Sequence, residues 1–112
     1  MKTYHSSCHC GAITIEIKAD IKEAIRCNCS HCKRKGMILA FVPKSQVTII
    51  GEKPLTTYQF NKKVIDHKFC PTCGVQPFGQ SGDTMAINLN CIDESDLDLA
   101  TVTIKDVDGK NF

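Results

Sequence analysis

Seven of the eight cysteines stand in three tight groups: Cys8-His9-Cys10, Cys27-Asn28-Cys29-Ser30-His31-Cys32 and Cys70-Pro71-Thr72-Cys73-Gly74. Thiols one or two residues apart can turn their sulfurs toward a single ion, whereas a disulfide normally joins two separate chain segments. The pattern therefore points to zinc held by thiolates. Ligand number then assigns the chemistry: four protein ligands close a structural site, and three leave a position for water or substrate.

Cys70-x-x-Cys73-Gly74 reads as a zinc knuckle, because a glycine there takes a positive φ and lets backbone N–H groups approach the thiolates. Cys8-x-Cys10-Gly11 is its natural partner, so Cys8, Cys10, Cys70 and Cys73 are expected to form a closed structural zinc site across a loop of about sixty residues. Cys27, Cys29 and Cys32 supply three thiols in six residues with no obvious fourth ligand. That is the pattern of an open, catalytic zinc, able to act as a Lewis acid or to hold a substrate thiolate. Cys91 or His31 could instead complete this set as a second structural site, and Cys91 reads equally well as an inert buried thiol.

Lys33-Arg34-Lys35 follow the triad directly. They read as a solvated basic turn, or as charge that lowers thiol pKa values and attracts a carboxylate-bearing substrate. His5 and His9 read as exposed or structurally satisfied, while Tyr58, His31 and His67 are possible proton carriers that no spacing rule separates. No Ser-His-Asp order, phosphate loop, dinucleotide fingerprint or pair of catalytic carboxylates is present.

The elements that must position these thiols are short. Ala12 to Ile17 alternates, with Ile13, Ile15 and Ile17 on one face, as in a half-buried strand. Ala24 to Cys27 reads as a strand feeding the second cluster, and Ser30 to Lys35 as one helical turn ended by Gly36. Met37 to Val42 is an apolar run stopped by Pro43. Val47 to Ile50, Thr56 to Phe60 and Val64 to Phe69 have strand composition, separated by turn-like Gly51-Glu52-Lys53-Pro54 and Asn61-Lys62-Lys63, and the last two suggest a hairpin. Gly79, Gly82 and Asp83 mark a turn, Met85 to Asn90 and Thr101 to Lys105 further strands, and Asp93 to Leu97 a very short capped helix. About eight strands without a βαβ rhythm predict an all-β domain over residues 1–112, with no parallel sheet because the helical crossovers are missing.

Composition is globular, with 42% hydrophobic and 23% charged residues, and a net charge of +2 is too small to announce a nucleic acid or an anionic membrane as partner. Neither a secretory leader nor a membrane span is evident, so the chain reads as cytoplasmic, and in a reducing compartment its eight cysteines are not expected to persist as disulfides.

The three-part cysteine code, together with Phe69 before the knuckle, Ile87-Asn88 and Cys91-Ile92-Asp93, resembles the glutathione-dependent formaldehyde-activating enzyme family, which includes the centromere protein V group. The resemblance spans nearly the whole chain. It implies a β-tent of antiparallel sheets, structural zinc on Cys8, Cys10, Cys70 and Cys73, and a catalytic zinc on Cys27, Cys29 and Cys32. It also implies a carbon–sulfur lyase activity that joins formaldehyde to the thiol of glutathione. The residues themselves leave two other classes open, a zinc-built interaction module and a metal or redox sensor.

Overall fold

Alternation at Ile13, Ile15 and Ile17 survives folding unchanged, for all three side chains are 0–1% exposed. In the computed structural model, which describes residues 1–50, 55–60 and 65–108, they sit on or beside β2 (Thr14–Ala19), the middle strand of a three-stranded sheet. β1 (Lys2–Ser7) and β5 (Val47–Ile49) flank it, both antiparallel. The second sheet has seven strands in the order β10-β3-β4-β9-β8-β7-β6. These are β3 (Glu23–Cys27), β4 (Leu39–Pro43), β6 (Thr56–Tyr58), β7 (Asp66–Phe69), β8 (Phe78–Ser81), β9 (Thr84–Asn88) and β10 (Thr103–Val107).

One core lies between the sheets. Tyr4, Ile15, Ile17 and Ala19 from the small sheet meet Ala40, Val42, Phe78, Met85 and Ile87 from the large one, and Leu89, Ile92 and Val102 extend the cluster. Each large side chain sequestered there contributes roughly 1.5–3 kcal/mol relative to exposure, so the packing of sheet on sheet dominates the folding free energy. Two smaller apolar clusters sit under the thiols: Ile13 with Cys8 and Cys70, and Met37 and Leu39 with Cys32.

The all-β expectation holds. The hairpin is present too, as β6 pairs antiparallel with β7 in the register Thr56↔Phe69 and Tyr58↔His67. The turns at 51–54 and 61–63 lie outside the described residues. Other expectations are corrected. β10 pairs parallel with β3, and the connection between them is not a helix but the whole run from β4 to β9, long enough to bring the chain back in the same direction. Gly79 does not turn; it lies inside β8, where a Cβ would stand 3.5 Å from the Asp66 carbonyl oxygen, so the strand passes close to β7. The turn to β9 uses Gly82 at φ +57° instead.

Asp93 to Leu97 is not helical. Asp93 Oδ1 accepts bonds from the Ser95 backbone N–H (3.0 Å) and Ser95 Oγ (2.9 Å), which holds the segment as a turn. This turn anchors β1: Asp96 Oδ2 accepts from the His5 backbone N–H at 2.8 Å and lies 2.9 Å from His5 Nδ1, and Lys2 Nζ donates to the Asp96 carbonyl. Among the described residues no helix is long and apolar enough to cross a membrane.

Two outcomes are expected in urea unfolding. Phe78→Ala, removing a ring that is 1% exposed, costs about 3–5 kcal/mol, whereas Phe41→Ala, at 56% exposure on the outer face of β4, costs less than about 1 kcal/mol. Asp96→Asn tests the anchor. The His5 N–H and side chain lower the Asp96 pKa below its ordinary 3.8, so the carboxylate's contribution is full above that value and is lost as the pH falls through the lowered folded-state value. Wild type is accordingly more stable than Asp96→Asn at pH 6, with the gap closing toward pH 2.

Candidate metal centres

The first centre is built by two loops of matched design. After β1, the Cys8 N–H donates to the Ile13 carbonyl (3.1 Å), with Gly11 at φ +79° between them; after β7, the Cys70 N–H donates to the Val75 carbonyl (3.0 Å), with Gly74 at φ +77°. Both glycines carry the positive φ that the knuckle requires. The loops face one another, so that Cys8 Sγ and Cys10 Sγ lie 3.7 Å apart, as do Cys10 Sγ and Cys70 Sγ. All four sulfurs of Cys8, Cys10, Cys70 and Cys73 are within 4.8 Å of one another.

A tetrahedron with metal–sulfur bonds of about 2.3 Å has edges of about 3.8 Å, so this donor set fits zinc in both number and spacing. No disulfide joins any of the eight cysteines. The thiols also disagree electrostatically. Backbone N–H groups, first that of Cys10 and then that of Val75, hold Cys73 down to about 6. At Cys10 the Ala12 N–H acts in the same direction, but desolvation and the thiols of Cys8, Cys70 and Cys73 outweigh it and push Cys10 up to about 11. Four crowded sulfurs resist ionising together, and a dication is what lets them do so.

The second centre is local. Cys27 ends β3, Cys29 caps the N-terminus of α1 (Ser30–Lys35), and Cys32 lies one turn in, buried. Cys27 Sγ accepts from the Cys29 N–H at 3.4 Å and Cys29 Sγ from the Cys32 N–H at 3.3 Å. Gly36, left-handed at φ 63°, ends the helix by donating its N–H to the Cys32 carbonyl. The three sulfurs lie within 4.8 Å of one another. Burial first, then the neighbouring Cys29 thiol, drives the Cys32 pKa upward, while at Cys29 burial is outweighed by the Cys32 N–H and the flanking thiols and the pKa falls.

Neither proposed fourth ligand joins this set. Cys91, at the end of a single 3₁₀ turn (Leu89–Cys91), has its Sγ 3.7 Å from the Gln76 carbonyl. Burial, and then the charges of Cys8 and Cys73, raise it to about 11, which places it toward the four-thiol centre. His31 turns away from the sulfurs into a ring cluster. Its centroid is 4.1 Å from His67, 5.2 Å from Phe60 and 5.7 Å from Tyr58, and its buried Nδ1 has no hydrogen-bond partner among the described residues. Burial, helped by His67 and Lys35, lowers His31 to about 4, so its imidazole is neutral at pH 7.

The three candidate proton carriers thus form one wall, with Phe60 added. Beside the triad lies a cavity of about 510 Å³, lined by Cys27 and Cys32 together with Arg26, Lys33, Asp106 and Val107. Neither His5 nor His9 joins a thiol cluster: His5 lies beside Asp96, and His9 is exposed on the tip between Cys8 and Cys10. Gln76 and Phe60 escape sequence reasoning. Gln76 is 4% exposed; it receives a bond from Lys35 Nζ on Oε1 (2.6 Å), its Nε2 lies 3.4 Å from His67 Nδ1, and its carbonyl accepts from Asn88 Nδ2 at 3.0 Å. A buried glutamine has no spacing signature; only its place two residues after Gly74 hinted at proximity to the knuckle.

Comparison with known proteins agrees with this geometry. A crystal structure of a protein from Rhodobacter sphaeroides, determined in a structural-genomics programme, is similar to this chain at a TM-score of 0.79 and 30% sequence identity, covering 92% of this chain and 99% of that one. Residues 3–104 match the family described as "Glutathione-dependent formaldehyde-activating enzyme", a span that takes in all three cysteine groups and every strand but the first residue of β1 and the end of β10. On that match the chain belongs to the glutathione-dependent formaldehyde-activating enzyme family.

Proposed function

We propose that this chain is a zinc enzyme of the carbon–sulfur lyase type, working in a reducing cytoplasm as one domain, on the adduct of formaldehyde or a related electrophile with a small thiol such as glutathione. One observation carries the reading: four sulfurs converge in one centre, whereas the other has three and neither Cys91 nor His31 reaches it. Cys8, Cys10, Cys70 and Cys73 would hold a structural zinc, and Cys27, Cys29 and Cys32 the catalytic one. When bound there, zinc supplies a positive charge that stabilises a substrate thiolate near neutral pH.

The chain's own residues do the rest. The N–H groups of Cys29 and Cys32 fix the thiol side chains of Cys27 and Cys29, so the donor set is oriented before a ligand arrives. His31, on the same helix as Cys32, gathers with Tyr58, Phe60 and His67 into a ring cluster beside the triad. The cavity beside Cys27 and Cys32 is of the size that takes a small molecule. In the reaction the thiol loses its proton, a carbon–sulfur bond forms to the formaldehyde carbon, and the carbonyl oxygen takes up a proton. Tyr58, His31 and His67 are the groups near the triad suited to carry it.

Metal analysis of the purified full chain should give about two zinc ions per chain. Cys29→Ser or Cys32→Ser should lower this to about one with the circular dichroism spectrum retained, while Cys73→Ser should disrupt the fold. Cys91→Ser should leave two, and a fall to one would show that the second centre is closed. For activity, magnetisation exchange between glutathione and S-hydroxymethylglutathione at equilibrium with formaldehyde should be accelerated by wild type and at least tenfold less by Cys29→Ser. A wild-type rate no faster than that of buffer would remove the enzymatic reading and leave an interaction module.

A further inference from the structure

The basic run after the triad is not a uniform solvated turn. Lys33 is exposed on the cavity side, and Arg34 folds back along α1 to donate from Nη1 to the Ser30 carbonyl at 2.9 Å. Lys35 does something else. Its ammonium crosses to the loop after the knuckle and donates to Gln76 Oε1 at 2.6 Å, and it lies 5.4 Å from the centre of the Phe69 ring.

These partners are a neutral amide and a ring face. No ion pair joins Lys35 to a carboxylate among the described residues, so the ammonium has one acceptor for its three N–H groups and no countercharge. Lys35 as a whole is exposed, but partial desolvation of its ammonium lowers its pKa, with the Cys32 thiol acting the other way. Gln76 is itself well fixed: it is 4% exposed, its carbonyl is held by Asn88, and its amide spans from Lys35 to His67. A long, flexible side chain is thereby held at one place. Residues three apart on a helix share a face, so Lys35 springs from the same side of α1 as Cys32, and the Cys32 thiol is near enough to act on the charge of its ammonium.

We propose that Lys35, positioned by Gln76, is the carboxylate-recognition residue of this site: it selects thiol substrates that carry a carboxylate and binds that group while the sulfur occupies the three-thiol centre. The inference rests on the thiol-binding reading given above. A point charge with two N–H groups to spare suits a carboxylate, and the bond from an ammonium to a carboxylate is among the stronger ones available. Arg34 is spent on its own helix and does not share this role.

The test uses matched thiols and zinc-loaded full-length protein, with binding read by calorimetry. 3-Mercaptopropionate is compared with 2-mercaptoethanol, and glutathione with its glycine ethyl ester. Wild type should prefer the carboxylate-bearing member of at least one pair by about tenfold, a preference that weakens with added salt. Lys35→Gln should bring that ratio to about one at unchanged zinc content, and Lys35→Arg, which keeps the charge, should restore most of it. Equal affinities within both pairs for wild type would overturn the inference while leaving the thiol site standing, as would a preference that Lys35→Gln retains. If neither member of either pair binds, the thiol-binding reading fails and this one with it. The wild-type ratio is measured whether or not the variants fold.

Discussion

The meeting of four sulfurs at Cys8, Cys10, Cys70 and Cys73 is the constraint on which the rest of the structure hangs. Cys8 and Cys10 sit in the link from β1 to β2, in the three-stranded sheet; Cys70 and Cys73 sit in the link from β7 to β8, in the seven-stranded one. The cluster therefore clamps the two sheets together along one side of their shared core. Closing so long a loop costs chain entropy that grows only slowly with length, and a metal bound by all four thiols returns its binding free energy as folding free energy. In a chain of 112 residues, where the core is adequate but not generous, such a contribution would be large.

The second cluster stands in a different relation to the fold. All three of its thiols come from six consecutive residues at the end of β3 and the start of α1, so it bridges no distant segments. Its geometry is set by local devices, the capping thiol of Cys29 and the left-handed Gly36, and its apolar bed of Met37 and Leu39 follows directly in sequence. A centre that the topology does not require is free to have an incomplete ligand set. This is the physical basis for separating a scaffold role from a chemical one in a chain whose two clusters use the same donor atom.

Much of this was legible because it is local. The isoleucine alternation marked the inner face of β2, and the two glycines after the cysteine pairs marked the positive-φ corners of the loops. What escaped was set by tertiary context. β1 reads as polar, since only Tyr4 and Ser6 in it are buried, and its anchor is an aspartate ninety-odd positions away. β8 carries a glycine between Phe78 and Gln80 and follows Pro77, a composition that signals a turn unless one knows that the Asp66 carbonyl stands close by. The parallel pairing of β10 with β3 depends on where the whole β4 to β9 run delivers the chain. The ring wall draws on α1, β7 and the end of the β6 segment, three places that share no period.

Cys91 shows how such context changes chemistry. By sequence it was the residue able to turn an open triad into a closed site, since thiols are interchangeable as ligands. Folding places it on the far side of Gln76, bonded to that residue's carbonyl and under the charge of Cys8 and Cys73. Gln76 thus separates two environments: its backbone faces Cys91 and Asn88, and its side chain faces Lys35 and His67. The loop that completes the four-thiol knuckle also carries the residue that organises the polar groups beside the three-thiol centre. Damage to the first centre would therefore reach the second through two residues of backbone, from Gly74 to Gln76, without any shared ligand.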